Sequence, residues 1–165
     1  MSARSKKRSA RGNRPVIKVD VFSEGCRLPY KKMTARSISR LAAAAADKTG
    51  IENAVITVII TDDGFIREMN REYRKKNSPT DVISFANRDC EFPDIESEPE
   101  DLGDIFISIE TAERQAAEYG VSLKDEIKRL VIHGVLHLAG YDHEKSEKQA
   151  AVMARKEREI YESIA

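Results

Sequence analysis

Residues 131–144 read VIHGVLHLAGYDHE and hold every histidine of the chain: His133, His137 and His143. The segment around them is apolar. From Leu123 onward, Ile127, Leu130, Val131, Ile132, Val135, Leu136 and Leu138 fill most of a helical circumference. A helix apolar on nearly all sides belongs inside a fold, so this spacing predicts a buried helix ending near Ala139. Whatever surrounds it must supply covering layers on several faces.

Those layers are legible on either side. Ile17, Val19 and Val21 alternate with Lys18 and Asp20, the pattern of a half-buried strand. NAVITVII, roughly 53–60, is a β-branched strand; TDVISF (80–85) and GDIFIS (103–108) are two more. TARSISRLAAAAADKTG predicts a helix opened by Thr34 and closed near Gly50. A second helix starts at Asp62 as N-cap, with Ile66, Met69 and Tyr73 as its apolar stripe. A third, ETAERQAAEYG, stops at Gly120. Ser122 with Asp125 and Ser146 with Gln149 are capping-box patterns that open the last two helices, the final one striped by Met153, Ile160 and Ile164. Strands and helices are interspersed without strict βαβ alternation. The fold class expected is therefore α+β: a mixed β-sheet flanked by helices, with a metal site at the end of a buried helix.

Charge divides the chain. The first fourteen residues carry Arg4, Lys6, Lys7, Arg8, Arg11 and Arg14 and no acid. Taking those six from 28 basic residues leaves 22 against 28 acidic ones, so the remaining body is mildly acidic. Such a body argues against a broad phosphate-gripping surface and makes any nucleic-acid contact local. Residues 1–14 are expected to be a disordered basic tail, and 15–165 a single catalytic domain. NRDCEFPDIESEPEDL (87–102), acidic and proline-containing, reads as a solvated loop. Cys26 and Cys90 are distant and form no CxxC pair, which suggests reduced thiols and a cytoplasmic location. No apolar run is long enough to span a bilayer, and no membrane partner is expected.

His133 and His137 lie four apart, about 40° around the axis and about 6 Å along it, so both rings leave one helix face. Gly140 sits where a helix closes on a left-handed residue, and His143 follows the bend. A buried histidine is commonly a hydrogen-bonded core residue. Three in the pattern HxxxHxxxxxH, with none elsewhere, favour a shared cation instead. Three nitrogen donors suit one Zn²⁺ or a neighbouring first-row ion, with water in the fourth position, the arrangement of a catalytic rather than a structural site. Metal-assisted hydrolysis follows, without specifying the bond. The metzincin pattern HExxHxxGxxH shares this spacing, but Gly134 stands where those peptidases carry their glutamate base, which disfavours a zinc metallopeptidase.

HGVLHLAGYDH (133–143) resembles the HGxLHLxGYDH signature of the YbeY family of single-strand-specific, metal-dependent endoribonucleases. MNREYRKKNSPTDVISF (69–85) resembles that family's LNxxYRxxxxPTDVLSF segment, and LGDIFIS (102–108) its LGDIxIS segment. The resemblance implies His133, His137 and His143 as metal ligands, and Arg74 and His133 as catalytic residues. It also implies single-stranded ribosomal RNA as substrate, the small ribosomal subunit as partner, and roles in small-subunit rRNA 3′-end maturation and ribosome quality control. Phosphodiester cleavage concentrates negative charge that a metal and a guanidinium both stabilise, so the residue types fit the chemistry. Spacing alone does not separate Arg74 from Arg71, and cations at a helix end also complement the macrodipole. Thr80, Asp81 and Ser84 either shape the site or form a turn and strand surface. Asp142 either orients an imidazole or shapes the turn after Gly140. The alternative activity is that of a non-catalytic ribosome assembly factor with a structural zinc.

Overall fold

The computed structural model describes residues 16–89 and 99–165. The basic tail expected over 1–14, Cys90 and the middle of the acidic loop lie outside them. Four strands, β1 (Ile17–Glu24), β2 (Ala54–Thr61), β3 (Val82–Ala86) and β4 (Glu100–Ser108), form one sheet in the order β1-β2-β4-β3. β1, β2 and β4 are parallel, and β3 runs antiparallel to β4 along the outer edge. Five helices flank the sheet: α1 (Ala35–Lys48), α2 (Asp63–Arg74), α3 (Ile109–Tyr119), α4 (Leu123–Leu138) and α5 (Glu147–Ser163). The mixed α+β architecture expected from the sequence is the one observed.

Local chemistry sets the element ends. Thr34, Asp62, Ser108, Ser122 and Ser146 each cap a helix by accepting a backbone N–H three residues on. Such a cap satisfies one of the orphan donors of the first turn. β4 begins three residues earlier than the GDIFIS pattern suggests, because Glu100 and Asp101 already pair with Ala54 and Val55 of β2. Asn87–Asp89 form a short 3-10 turn, so the expected 87–102 loop is structured at both ends.

α4 is the central helix. All seven apolar residues read as its buried circumference are fully covered. It packs against β3 and β4 on one side and against α1, α3 and α5 on the others. Gly134 makes the sheet contact close: a Cβ built there would stand 2.6 Å from Ile105 Cγ2 on β4. The second helix departs from its predicted stripe. Ile66 is buried, but Tyr73 is 59% exposed and lies edge-on to Phe85, while Asn70 is buried in its place. Asn70 Nδ2 donates to the Ser78 carbonyl at 2.8 Å, anchoring the loop that carries the chain from α2 to β3.

Candidate metal centre

The histidine segment folds as its spacing predicts. α4 carries His133 and His137 on one face, Ala139 caps it, and Gly140 takes a φ of +94° that turns the chain back. His143 then returns beside the other two. The ring centroids are 4.7, 5.0 and 5.3 Å apart, and one donor nitrogen from each ring lies within 4.8 Å of the others. His133 Nε2 and His137 Nε2 are 3.1 Å apart. Two nitrogens each about 2.0–2.1 Å from a tetrahedral ion sit about 3.3–3.4 Å from one another. The three imidazoles are therefore positioned to hold one metal ion, and their neutral nitrogen donors suit zinc or a similar first-row cation.

Electrostatics keeps the His137 donor available. Burial, followed by the neighbouring His133 and His143, presses the pKa of His137 from 6.5 down to about 4. His137 is thus neutral near pH 7, with a lone pair to offer. Arg74 pushes in the same direction, which shows its charge to be felt at the ring.

These residues line a polar cleft of about 420 Å³, joined there by Arg74, Thr80, Asp81, Val82, Ser84, Asp89, Arg129, Asp142 and Glu144. Arg74 and Arg71, equivalent by sequence spacing, are separated by the fold. Arg71 pairs with Glu68 on the outside of α2, whereas Arg74 lines the cleft and no carboxylate pairs with it among the described residues. Thr80, Asp81 and Ser84 all border the cleft. Asp81 also shapes the turn into β3: its Oδ1 accepts from Val82 N at 2.8 Å and from Thr80 Oγ1 at 3.3 Å. The Ser84 hydroxyl is buried without a hydrogen-bond partner among the described residues.

Asp142 is a turn residue. Its Oδ1 accepts the Glu144 N–H at 2.7 Å, its other oxygen faces Lys145, and its charge is felt at His137 across the cleft. The carboxylate that does touch a histidine is Glu157, on α5, with Oε2 at 3.1 Å from His133 Nδ1. Arg129, one turn before His133 on the same face, joins the cleft wall as a guanidinium held by the buried Glu126 and by Asp81. Sequence reasoning missed both. Arg129 was findable, since 129, 133 and 137 repeat every four residues along one face of α4. Glu157 was not, because its contact joins two helices and follows no local spacing.

Gly134 also answers the peptidase alternative. It faces Ile105 rather than the cleft, and even a methyl group there meets the sheet, so a glutamate base has no room.

Comparison with known proteins agrees with these features. Residues 24–165 match the family model described as endoribonuclease YbeY. An endoribonuclease YbeY from Aquifex aeolicus is 46% identical over 123 residues, covering 74% of this chain and 79% of the relative. One from Sulfurihydrogenibium sp. is 34% identical over 158 residues, covering 96% and 97%. The solution structure of TM1509 from Thermotoga maritima superposes with a TM-score of 0.60 at 27% identity, covering 87% of each chain. By family match, relatives and fold together, this chain belongs to the endoribonuclease YbeY family.

Proposed function

We propose that this protein is a metal-dependent endoribonuclease that cuts single-stranded RNA. The observation that carries this reading is the meeting of three imidazoles with the Arg74 guanidinium in one polar cleft. His133, His137 and His143 are the ligands, and Zn²⁺ is the ion their donor set suits. When bound, such an ion supplies Lewis acidity at a phosphoryl oxygen and ionisation of water near neutral pH. The protein's own contribution is to place a phosphodiester against that centre. Arg74, exposed and without a carboxylate partner among the described residues, presents its planar fork to the phosphate oxygens and stabilises the charge that develops on them.

The RNA assignment draws on the activity named for the relatives. No helix among the described residues is long and apolar enough to cross a membrane. The finer assignment is cytoplasmic processing of ribosomal RNA on the small subunit, including 3′-end maturation and ribosome quality control. It rests on the three motif resemblances rather than on geometry.

Incubating the purified protein with a single-stranded RNA, a duplex RNA and casein, each with and without chelator, tests the reading. Single-stranded RNA is cut only with metal, and duplex and casein are spared. Arg74→Ala slows cutting by about 10²–10³-fold, the range for loss of one charge-stabilising donor, while metal content stays unchanged. His133→Ala loses both metal and activity. Full cleavage by both folded variants would overturn the proposal. So would full rescue of rRNA maturation in depleted cells by Arg74→Ala, which would favour the assembly-factor alternative.

A further inference from the structure

Glu157 occupies an unusual place. α5 buries a stripe against α4 through Met153 and Ile160, 2% and 1% exposed, and Glu157 lies between them, four residues after one and three before the other. A carboxylate inserted in such a stripe loses hydration and needs a compensating partner. The partner in reach is a histidine of the metal centre. Glu157 Oε2 stands 3.1 Å from His133 Nδ1, and the two side chains keep only 21% and 22% of their exposure.

This contact bears on where the proton of His133 sits. A carboxylate oxygen accepts hydrogen bonds, so at this distance the contact is made with the hydrogen on Nδ1. A neutral imidazole has one such hydrogen, which leaves Nε2 with a free lone pair. Nε2 is the atom that faces His137 Nε2 across 3.1 Å. Asp142, the carboxylate nearer in sequence, is already used by Glu144 N and Lys145. Arg129 faces the Glu157 carboxylate from α4, within range for its guanidinium to feel that charge.

We infer that Glu157 is the positioning residue of this centre: it holds the His133 proton on Nδ1 and aims the Nε2 lone pair into the three-histidine site. The inference rests on the metal reading for its consequence, though not for its geometry. Carboxylate contacts of this kind fix ring orientation and raise ligand basicity, and their loss costs about 10–100-fold in metal affinity.

The test uses the full chain as wild type, Glu157→Ala and Glu157→Gln. Long-range proton–nitrogen NMR of the His133 ring, in metal-free protein at a pH where imidazoles are neutral, reads the tautomer. Competition against a chelator reads Zn²⁺ affinity, and thermal unfolding confirms that each variant is folded. Wild type carries its proton on Nδ1. Glu157→Ala moves the proton towards Nε2 and weakens Zn²⁺ binding by about 10–100-fold. Glu157→Gln, whose amide oxygen accepts the same N–H, keeps the tautomer and recovers most of the affinity.

A wild-type His133 with its proton on Nε2 overturns the inference without recourse to any variant. An unchanged tautomer in folded Glu157→Ala overturns it as well. Wild-type protein that binds no Zn²⁺ sinks the metal reading instead, and the tautomer measurement then still decides the role of Glu157.

Discussion

Replacing Gly134 by alanine isolates the contact that seats the helix of His133 and His137 on the sheet. The new Cβ would stand 2.6 Å from Ile105 Cγ2, 3.0 Å from Cδ1 and 3.2 Å from Cγ1, and Ile105 is fully buried. Two effects oppose one another. Overpacking a filled interior costs about 1–3 kcal/mol. Removing a glycine from a helix interior returns about 1 kcal/mol. The net expectation is a loss of about 0–2 kcal/mol, small enough for the variant to fold. Ile105→Ala alone opens a cavity and costs about 2–5 kcal/mol. It also removes all three atoms that the new methyl would strike. The double variant is therefore less destabilised than the sum of the single changes, by about 1–3 kcal/mol. Urea unfolding of the four proteins, followed by circular dichroism with slopes compared, closes this double-mutant cycle. Because α4 carries His133 and His137, Zn²⁺ affinity should fall in Gly134→Ala and recover in the double variant. Additivity within about 0.5 kcal/mol would refute the packing argument, since residues that do not touch behave that way.

Three further outcomes are expected. In metal-free protein the unfolded chain protonates its histidines near pH 6.5, whereas native His137 resists until about 4. The His137 contribution to stability is therefore full above about 6.5, falls between these values and then levels, by about 1–2 kcal/mol once solvent screening of the half-buried ring is allowed for. Urea midpoints against pH, compared with His137→Gln, read that slope. Arg129→Met strips the counter-charge from Glu126, which is 2% exposed, and destabilises by about 3 kcal/mol. Adding Glu126→Leu recovers most of that loss in the same unfolding assay. Asn70→Ala releases the loop after Arg74 by losing the bond to the Ser78 carbonyl, costing about 1–3 kcal/mol. RNA cleavage then slows more than zinc content falls.

The parts of this molecule that were legible in its sequence are those governed by local periodicity. The helical circumference from Ile127 to Leu138, the N-caps Thr34, Asp62, Ser122 and Ser146 and the β-branched strands each follow from residues a few positions apart. The histidine triad is legible for the same reason: a four-residue step and a glycine turn bring three rings together within one segment. What was hidden depends on contacts between distant segments. The strand order β1-β2-β4-β3 is a choice of partners, and hydrophobic alternation is silent about partners. Tyr73 fits a helical stripe but faces outward over Phe85, because the loop that follows needs Asn70 inside. Arg71 and Arg74 differ only in which side of α2 meets the cleft. Glu157 reads as one more charge on an amphipathic helix until α5 is laid against α4.

The claim on which the functional reading stands is that three imidazoles share one ion. X-ray absorption at the zinc edge of the zinc-loaded protein tests it most directly. The account predicts one zinc per chain with about three imidazole nitrogens at about 2.0–2.1 Å and a remaining light-atom neighbour, and loss of that spectrum in His137→Ala. A sulfur neighbour, fewer than three imidazoles, or the same spectrum from His137→Ala would contradict it.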